Sequence, residues 1–232
     1  MPDIIDSEVS ARDWMAAQPG VSRETMEALD RLAAFVADEA RHQNLVSAAT
    51  LAQMWQRHIV DSAQLLRFAD PQPQELWIDL GSGAGFPGLV IGLLAPCKVL
   101  LVESRALRID YLERAIEHLG LADRVMVAGM ALDRMEAEPA DYISARAFAP
   151  LPRLLEGAAR FSTEKTRWLL PKGRNAAMEL ESVSSAWQHV FHVEQSLTDP
   201  DAAILVGTGR ASPAILPQPA RDRRVRRNRS RS

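Results

Sequence analysis

The sequence has a single cysteine among its 232 residues, Cys97, so no disulfide can form within the chain. This is typical of proteins that fold in a reducing compartment, and a chain of this length buries enough surface to be stable without a cross-link. Long apolar runs are also missing: the best covers residues 89–95, against the ~20 residues of a membrane span. Residues 1–12 lack the basic start and the apolar stretch of a secretory signal. We expect a cytoplasmic protein with no membrane segment.

The formal charge of −3 is unevenly distributed along the chain. Residues 221–231 hold seven arginines and one aspartate, a local charge of +6, which leaves −9 for the first 220 residues. A segment this rich in arginine cannot build a core, and we predict that residues 209–232 form a flexible tail. Two interpretations of the tail stay open. It is simply solvated, or it binds the phosphates of a nucleic acid.

Residues 1–72 have the apolar spacing of helices and form a predicted N-terminal helical region. One apolar stripe covers residues 26–40, with Ser22 in the N-cap position. A second stripe covers residues 51–66, and Thr50 is its predicted cap.

The spacing of apolar residues changes in residues 73–208, where short apolar runs alternate with amphipathic stretches. This alternation is typical of an α/β fold with a mostly parallel sheet, and the last two runs predict an antiparallel closing pair. The predicted strands are residues 76–80, 98–102, 124–128, 142–144, 167–170, 190–193 and 203–206, and the predicted helices are 88–95, 106–119, 151–161 and 175–187.

The sharpest signal is the glycine-rich loop of residues 79–88, Asp-Leu-Gly-Ser-Gly-Ala-Gly-Phe-Pro-Gly, between the first strand and its helix. Ligands of open α/β sheets bind at the carboxyl ends of the strands, where glycines let the backbone approach them closely. The second strand ends at Glu103, 20 residues after Gly83, and an acid there can accept hydrogen bonds from both ribose hydroxyls. The pattern predicts a cofactor that contains a nucleoside.

Two cofactor classes meet this requirement, a dinucleotide and S-adenosylmethionine. The dinucleotide fingerprint is present between Gly83 and Gly88, but Pro87 removes an N–H donor that a pyrophosphate needs and Phe86 fills the space. S-adenosylmethionine needs fewer N–H donors from the loop, because its ammonium and sulfonium groups are cationic. Asp79 can pair with the ammonium group directly or through water. We favour S-adenosylmethionine, with a ligand-free glycine turn as the structural alternative.

Several separate segments make the chain similar to one known family. They are Asn44-Leu45 with Ser47, Arg57-His58-Ile59-Val60-Asp61-Ser62, the loop with its Phe-Pro-Gly ending, Glu103, Arg146-Ala147-Phe148-Ala149 and Lys172-Gly173. Over about residues 40–175 the chain resembles the RsmG/GidB family of small-subunit ribosomal RNA guanine-N7 methyltransferases. The resemblance implies a Rossmann-like class I methyltransferase with a seven-stranded sheet preceded by helices. It also implies S-adenosylmethionine as cofactor and 16S ribosomal RNA or the small ribosomal subunit as partner.

The resemblance implies cofactor contacts from Gly81 and Phe86 in the loop, from Ala131 and Leu132 after the third strand, and from Arg146. Members of the family often have an acid where Leu132 stands, so a backbone contact to adenine is expected there. The loop and its distal acid add Asp79, Gly83, Gly85 and Glu103 to the predicted cofactor site.

Arg146 and Lys172 each follow a predicted strand on the cofactor side, so we predict that they position the substrate. They would bind the RNA backbone or, for Arg146, the cofactor or the guanine, whose O6 distinguishes it from adenine. Ion pairs with acids at the strand ends are the alternative. We expect Arg57 to pair with Asp61 four residues away, and His58 to have a structural role with Asp61 or a carbonyl as partner.

Guanine N7 has a free lone pair at neutral pH, so its methylation needs alignment and exclusion of water but no general base. We therefore expect no catalytic acid or base, and the His/Cys spacing predicts no metal site. Phe148 either stacks on a base or packs in the core.

A small-molecule S-adenosylmethionine-dependent methyltransferase is the main alternative function. Two further alternatives are a non-catalytic RNA-binding protein and a dinucleotide oxidoreductase. No sequence feature indicates an oligomer, so we expect a monomer.

Overall fold

The computed structural model of the protein describes residues 4–183 and 190–210. The arginine-rich residues 221–231 of the predicted tail lie outside the described residues, as do residues 184–189 at the end of the predicted helix 175–187. None of the described helices is long and apolar enough to cross a membrane.

The chain begins with two helices, α1 (Glu8–Ala16) and α2 (Arg23–Glu39). Ser7 starts α1 in a reciprocal capping arrangement with Ser10, and the side chain of Ser22 accepts from Thr25 N–H at the start of α2. Such caps satisfy backbone donors that a helix start leaves without partners. The predicted Ser22 cap is therefore confirmed. Neither of the two apolar stripes in the sequence predicted α1.

The second predicted helix is wrong in detail, because the chain divides it into four short pieces. They are α3 (Ala48–Leu51), a π-helix (Trp55–Val60), α4 (Asp61–Ala63) and a 3₁₀ helix (Gln64–Phe68). Ser47, not Thr50, caps α3, since the Ser47 hydroxyl accepts the Thr50 N–H at 3.2 Å.

The π-helix is anchored at its start by α1. Its first two N–H groups, from Trp55 and Gln56, donate to the carboxylate of Glu8 at 3.0 and 2.9 Å. The Gln56 side chain also donates to the carbonyls of Ile5 and Thr198. Single π turns are rare and occur mostly at functional sites. The N-terminal helix thus fixes a wide turn that carries Arg57 and His58.

Seven strands occur in the described part of the chain. They are β1 (Leu76–Leu80), β2 (Lys98–Val102), β3 (Val125–Ala128), β4 (Tyr142–Ala145), β5 (Arg167–Lys172), β6 (Phe191–Gln195) and β7 (Ala203–Thr208). They form one mixed sheet in the order β3-β2-β1-β4-β5-β7-β6. The first five strands are parallel, and β7 runs antiparallel to both of its neighbours, so the predicted closing pair is confirmed.

Strand β5 continues through Pro171 to Lys172, beyond its predicted end at residue 170. Pairing with β4 stops at Leu169, so only the β7 side still pairs with Pro171. A proline is tolerated in a strand where it lacks a second neighbour to donate to. The extension places Lys172 at the carboxyl edge of the sheet.

Helices cover both faces of the sheet, and alternate residues of β1 point to opposite faces. The remaining described helices are α5 (Gly88–Leu94), α6 (Ala106–Leu119), α7 (Leu151–Ala158) and α8 (Ala176–Glu181), with 3₁₀ turns at Leu132–Arg134 and Ala159–Phe161. Trp77 belongs to the core shared with α1, α2, α5 and α6, whereas Ile78 and Leu80 belong to the core under α7. Every residue of β1 is buried, and the loop that follows it opens at the centre of the sheet edge.

Candidate active site

The glycine loop turns sharply after β1, with φ values of +68°, +56° and +87° at Gly81, Gly83 and Gly85. Residues with side chains adopt this left-handed region only with strain. Space is also limited, because a Cβ on Gly81 would lie 2.4 Å from a ring carbon of Phe148. The backbone N–H of Gly81 donates to the Val102 carbonyl at the end of β2, at 2.9 Å. The glycines and the hydrogen bond to β2 therefore hold the loop in one tight conformation.

Asp79 supports this loop from inside the protein. Its carboxylate is fully buried and accepts the Ser144 hydroxyl at 2.8 Å and the Gly88 N–H at 3.2 Å. Burial raises the pKa of Asp79 above its ordinary value. Both oxygens already have partners within the protein, so a contact with the cofactor's ammonium group stays a prediction.

Glu103 lies directly after β2, and only 6% of its surface is exposed. One carboxylate oxygen accepts the N–H groups of Ser104 and Arg105 at 2.7 and 3.0 Å, and the other accepts the Gly83 N–H at 3.2 Å. Arg108 lies 3.7 Å away as an ion-pair partner. The carboxylate therefore connects the loop to the start of α6.

Two cavities open at the carboxyl ends of the strands, on either side of Phe148. The β2-side cavity has a volume of about 1010 Å³ and includes Ser104, Ala131, Leu132, Phe148, Arg153 and Arg210 in its lining. The β5-side cavity has a volume of about 1020 Å³ and includes Arg57, His58, Arg146, Phe148, Lys172 and Asp199.

The β2-side cavity is the predicted place for the adenosyl part of S-adenosylmethionine. Ala131 and Leu132 lie in its wall as the resemblance implies, and Ser104 places it beside Glu103. In the adjacent loop, Gly83 is buried, and Gly81 is partly buried under the Phe148 ring. A buried acid and a glycine turn at one sheet edge are the groups that a ribose and a closely approaching cofactor require. The separate contact assigned to Phe86 stays a prediction, since its ring is buried against His58 at 5.0 Å between centroids.

Arg146 follows β4 and is held by three acceptors in the wall of the β5-side cavity. Its guanidinium donates to the carbonyl of Arg57 at 3.1 Å, to the carboxylate of Asp61 at 3.3 Å and to Nδ1 of His58 at 2.9 Å. The expected ion pair between Arg57 and Asp61 is wrong. Arg57 instead pairs with Asp199 at 2.6 Å, because the β6–β7 turn brings that carboxylate to the π-helix.

His58 has the structural role that we expected, but with a different partner. It accepts from Arg146 rather than bonding Asp61 or a carbonyl, and it is buried with 6% of its surface exposed. Burial, and then the nearby charges of Arg146 and Arg57, lower the pKa of His58 to about 3. The ring is therefore neutral at pH 7, with its proton on Nε2, a buried atom that has no hydrogen-bond partner among the described residues.

The free energy of unfolding should fall in mild acid because of His58. The unfolded chain takes up a proton near the ordinary pKa of 6.5, whereas the folded chain does so only near 3. Stability is therefore lost as the pH falls below 6.5, by about 2 kcal/mol between pH 7.5 and pH 5. Urea unfolding of the wild type and of His58→Gln across this range measures the effect. Equal losses in both proteins would show that His58 does not contribute.

Lys172 lies in the opposite wall of the β5-side cavity. Its ammonium group donates to the Glu179 carboxylate of α8 at 2.7 Å, and the same carboxylate accepts the Leu151 N–H at 3.1 Å. Both predicted substrate-positioning residues thus reach one cavity, and each has an acidic partner as the alternative interpretation allowed. The sequence pattern missed Glu179 and Asp199, because no local spacing connects them to the loop.

Comparisons with known proteins agree with this geometry. The profile of the GidB family, described as rRNA small subunit methyltransferase G, matches residues 25–203. The chain belongs to this family. It is 53% identical to the Ribosomal RNA small subunit methyltransferase G of Rhizorhabdus wittichii, over 87% of this chain and 93% of that one. The identity to the Erythrobacter litoralis protein of the same name is 52%, over 90% and 99%.

Solved structures show the same fold. A S-adenosylmethionine-dependent methyltransferase from Aquifex aeolicus superimposes with a TM-score of 0.52 at 13% identity, over 74% of this chain and 97% of that chain. The expected Rossmann-like class I architecture, with a seven-stranded sheet and preceding helices, is confirmed. As a member of the GidB family, the protein is a methyltransferase that depends on S-adenosylmethionine.

Proposed function

We propose that this GidB-family protein transfers the methyl group of S-adenosylmethionine to N7 of a guanine in 16S ribosomal RNA. The family and its named relatives support the reaction and the RNA class. The observation that carries the proposal is the β5-side cavity, which is large enough for a nucleotide and holds Arg146 and Lys172 beside the glycine loop.

The anchored Arg146 is suited to recognise the base. Three of its five N–H groups donate to Arg57, Asp61 and His58, which leaves two for a ligand in the cavity. An arginine donor to guanine O6 rejects adenine, which carries an amino group at that position. N7 itself stays free, as the reaction requires.

The chain's own residues align the reactants. When bound, S-adenosylmethionine supplies an electrophilic methyl group on a cationic sulfur. The fixed loop and Glu103 orient the cofactor, and Arg146 and Lys172 orient the nucleotide. No group needs to remove a proton, and the neutral His58, with its Nδ1 already accepting from Arg146, is not placed to do so.

The decisive test uses small ribosomal subunits from a strain that lacks this protein. They are incubated with purified protein and methyl-labelled S-adenosylmethionine, and the label is mapped by nuclease digestion and mass spectrometry. We expect 7-methylguanosine at one position of the 16S RNA. Naked 16S RNA in a parallel reaction shows which form is the substrate. No label on either form, despite measurable cofactor binding, would contradict the proposal and favour a small-molecule substrate.

The arginine-rich tail predicts a salt effect on RNA binding. Removing residues 221–232 takes away seven arginines, so we expect weaker binding to small subunits and a shallower dependence of affinity on salt. The slope of log K against log salt should fall by about 0.7 for each phosphate contact that is lost. A chain of full length with glutamine in place of the arginines is the control for length. Equal affinities across the salt titration would rule out an electrostatic role.

A further inference from the structure

Phe148 occupies an unusual position directly after β4. Ala147, the residue before it, has a φ of +53° and is the one described non-glycine residue in the left-handed region. Alanine adopts this conformation only when the surrounding structure holds it there. The turn brings the Phe148 ring onto Gly81, where a Cβ would lie 2.4 Å from the ring.

The ring of Phe148 is not part of the hydrophobic core. Its exposed fraction is 39%, whereas Phe86, Phe161 and Phe191 are buried to below a tenth. The two remaining phenylalanines, Phe35 and Phe68, are partly buried. Phe148 also lines both cavities, so it lies between the space beside Glu103 and the space that holds Arg146 and Lys172. An exposed aromatic face at the junction of two ligand cavities is suited to contact a ligand.

We propose that Phe148 is the stacking residue for the target guanine, held at the junction of the two cavities by the left-handed turn at Ala147. This inference rests on the proposed function. A purine that reaches the loop from the β5-side cavity has to pass the Phe148 ring, and Arg146 lies only two residues before it on the same strand exit. Arg146 then contacts the edge of the base and Phe148 contacts its face. Stacking recognises any base, so Phe148 supplies affinity and alignment, whereas Arg146 supplies the choice of guanine.

The experiment compares Phe148→Leu with Phe148→Tyr, and with Met126→Ala as a control. Leucine keeps an apolar side chain over Gly81 without an aromatic face, whereas tyrosine keeps the face. Met126 lies on β3 outside the lining of both cavities, and 57% of its surface is exposed, so its loss tests the effect of removing exposed apolar surface alone. The readouts are kcat and KM for small subunits, the Kd of S-adenosylmethionine from calorimetry without RNA, and the melting temperature.

For Phe148→Leu we expect kcat/KM for small subunits to fall about 10- to 100-fold, as for the loss of one base–aromatic contact. Its Kd for S-adenosylmethionine should stay within about twofold of the wild-type value. The variants Phe148→Tyr and Met126→Ala should stay within about threefold of the wild type in kcat/KM, because the first keeps the aromatic face and the second lies outside both cavities. A leucine variant as active as the wild type would overturn the proposal. So would a loss of cofactor affinity that matches the loss of rate, since Phe148 would then be part of the cofactor site. Failure of the wild type to label any RNA counts against the proposed function instead.

Discussion

Replacing Arg146 with lysine is expected to lower kcat/KM for small-subunit methylation by about 10- to 100-fold. Three acceptors converge on the guanidinium, and a single ammonium nitrogen cannot reach the Arg57 carbonyl, the Asp61 carboxylate and the His58 ring together. Hydrogen bonds to charged groups contribute about 1.5–3 kcal/mol each, so the loss of one well-aligned bond to the substrate accounts for this factor. Single-turnover methylation of small subunits measures it.

The control for this change is Arg153→Lys, because Arg153 lies in the wall of the β2-side cavity and is exposed. It should keep most of the activity. Cofactor affinity of Arg146→Lys, measured by calorimetry, separates the two roles that the sequence left open. An unchanged Kd assigns Arg146 to the nucleotide, and a weakened one assigns it to S-adenosylmethionine. Activity within threefold of the wild type would exclude both.

Replacing Glu103 with glutamine is expected to weaken S-adenosylmethionine binding by about 10- to 100-fold, measured by calorimetry. The carboxylate accepts from Gly83, Ser104 and Arg105, and an amide of the same shape turns a donor toward one of these N–H groups. It also loses the charge that strengthens hydrogen bonds from ribose hydroxyls. The sheet does not depend on this side chain, so the protein should stay folded.

Glu156→Gln is the matched control for Glu103, since Glu156 is an exposed acid in the wall of the β2-side cavity. It should bind S-adenosylmethionine as the wild type does. If Glu103→Gln binds with unchanged affinity while its far-ultraviolet spectrum is native, the ribose assignment is wrong. If both variants bind weakly, the cavity responds to charge in general rather than to a specific contact.

The sequence predicts best the parts of this protein that depend on neighbours along the chain. β1, the glycine turn and α5 follow one another within 20 residues, and both β2 and α6 have the predicted bounds. Gly120 ends α6 with φ at +69°, the left-handed conformation that glycine supplies at the end of a helix. Periodicity and glycine placement are local signals, so they determine these elements without reference to the rest of the fold.

Contacts between distant segments were not predictable in the same way. Arg57 has an acid four residues ahead, and the helical spacing made Asp61 its expected partner. The π-helix and the β6–β7 turn instead place Asp199 beside Arg57 and leave Asp61 for Arg146. No pattern in residues 51–66 indicates the π turn, because the carboxylate that anchors it comes from Glu8, 47 residues away from Trp55. The sequence also did not predict that Glu179 holds Lys172 in the opposite wall of the β5-side cavity, because this contact joins α8 to β5.

The contact between Glu8 and the start of the π-helix has a practical consequence for the preparation of this enzyme. Among the described residues, 4–8 contribute no strand and no part of the glycine loop, yet Glu8 holds the turn from which Arg57 and His58 enter the cavity. A preparation clipped by a protease after residue 8, or fused there to a bulky purification tag, would keep its sheet and its cofactor pocket. Such a sample would pass a ligand-binding assay and still transfer methyl groups poorly. Intact mass, rather than cofactor affinity, is therefore the quality check that should precede activity measurements.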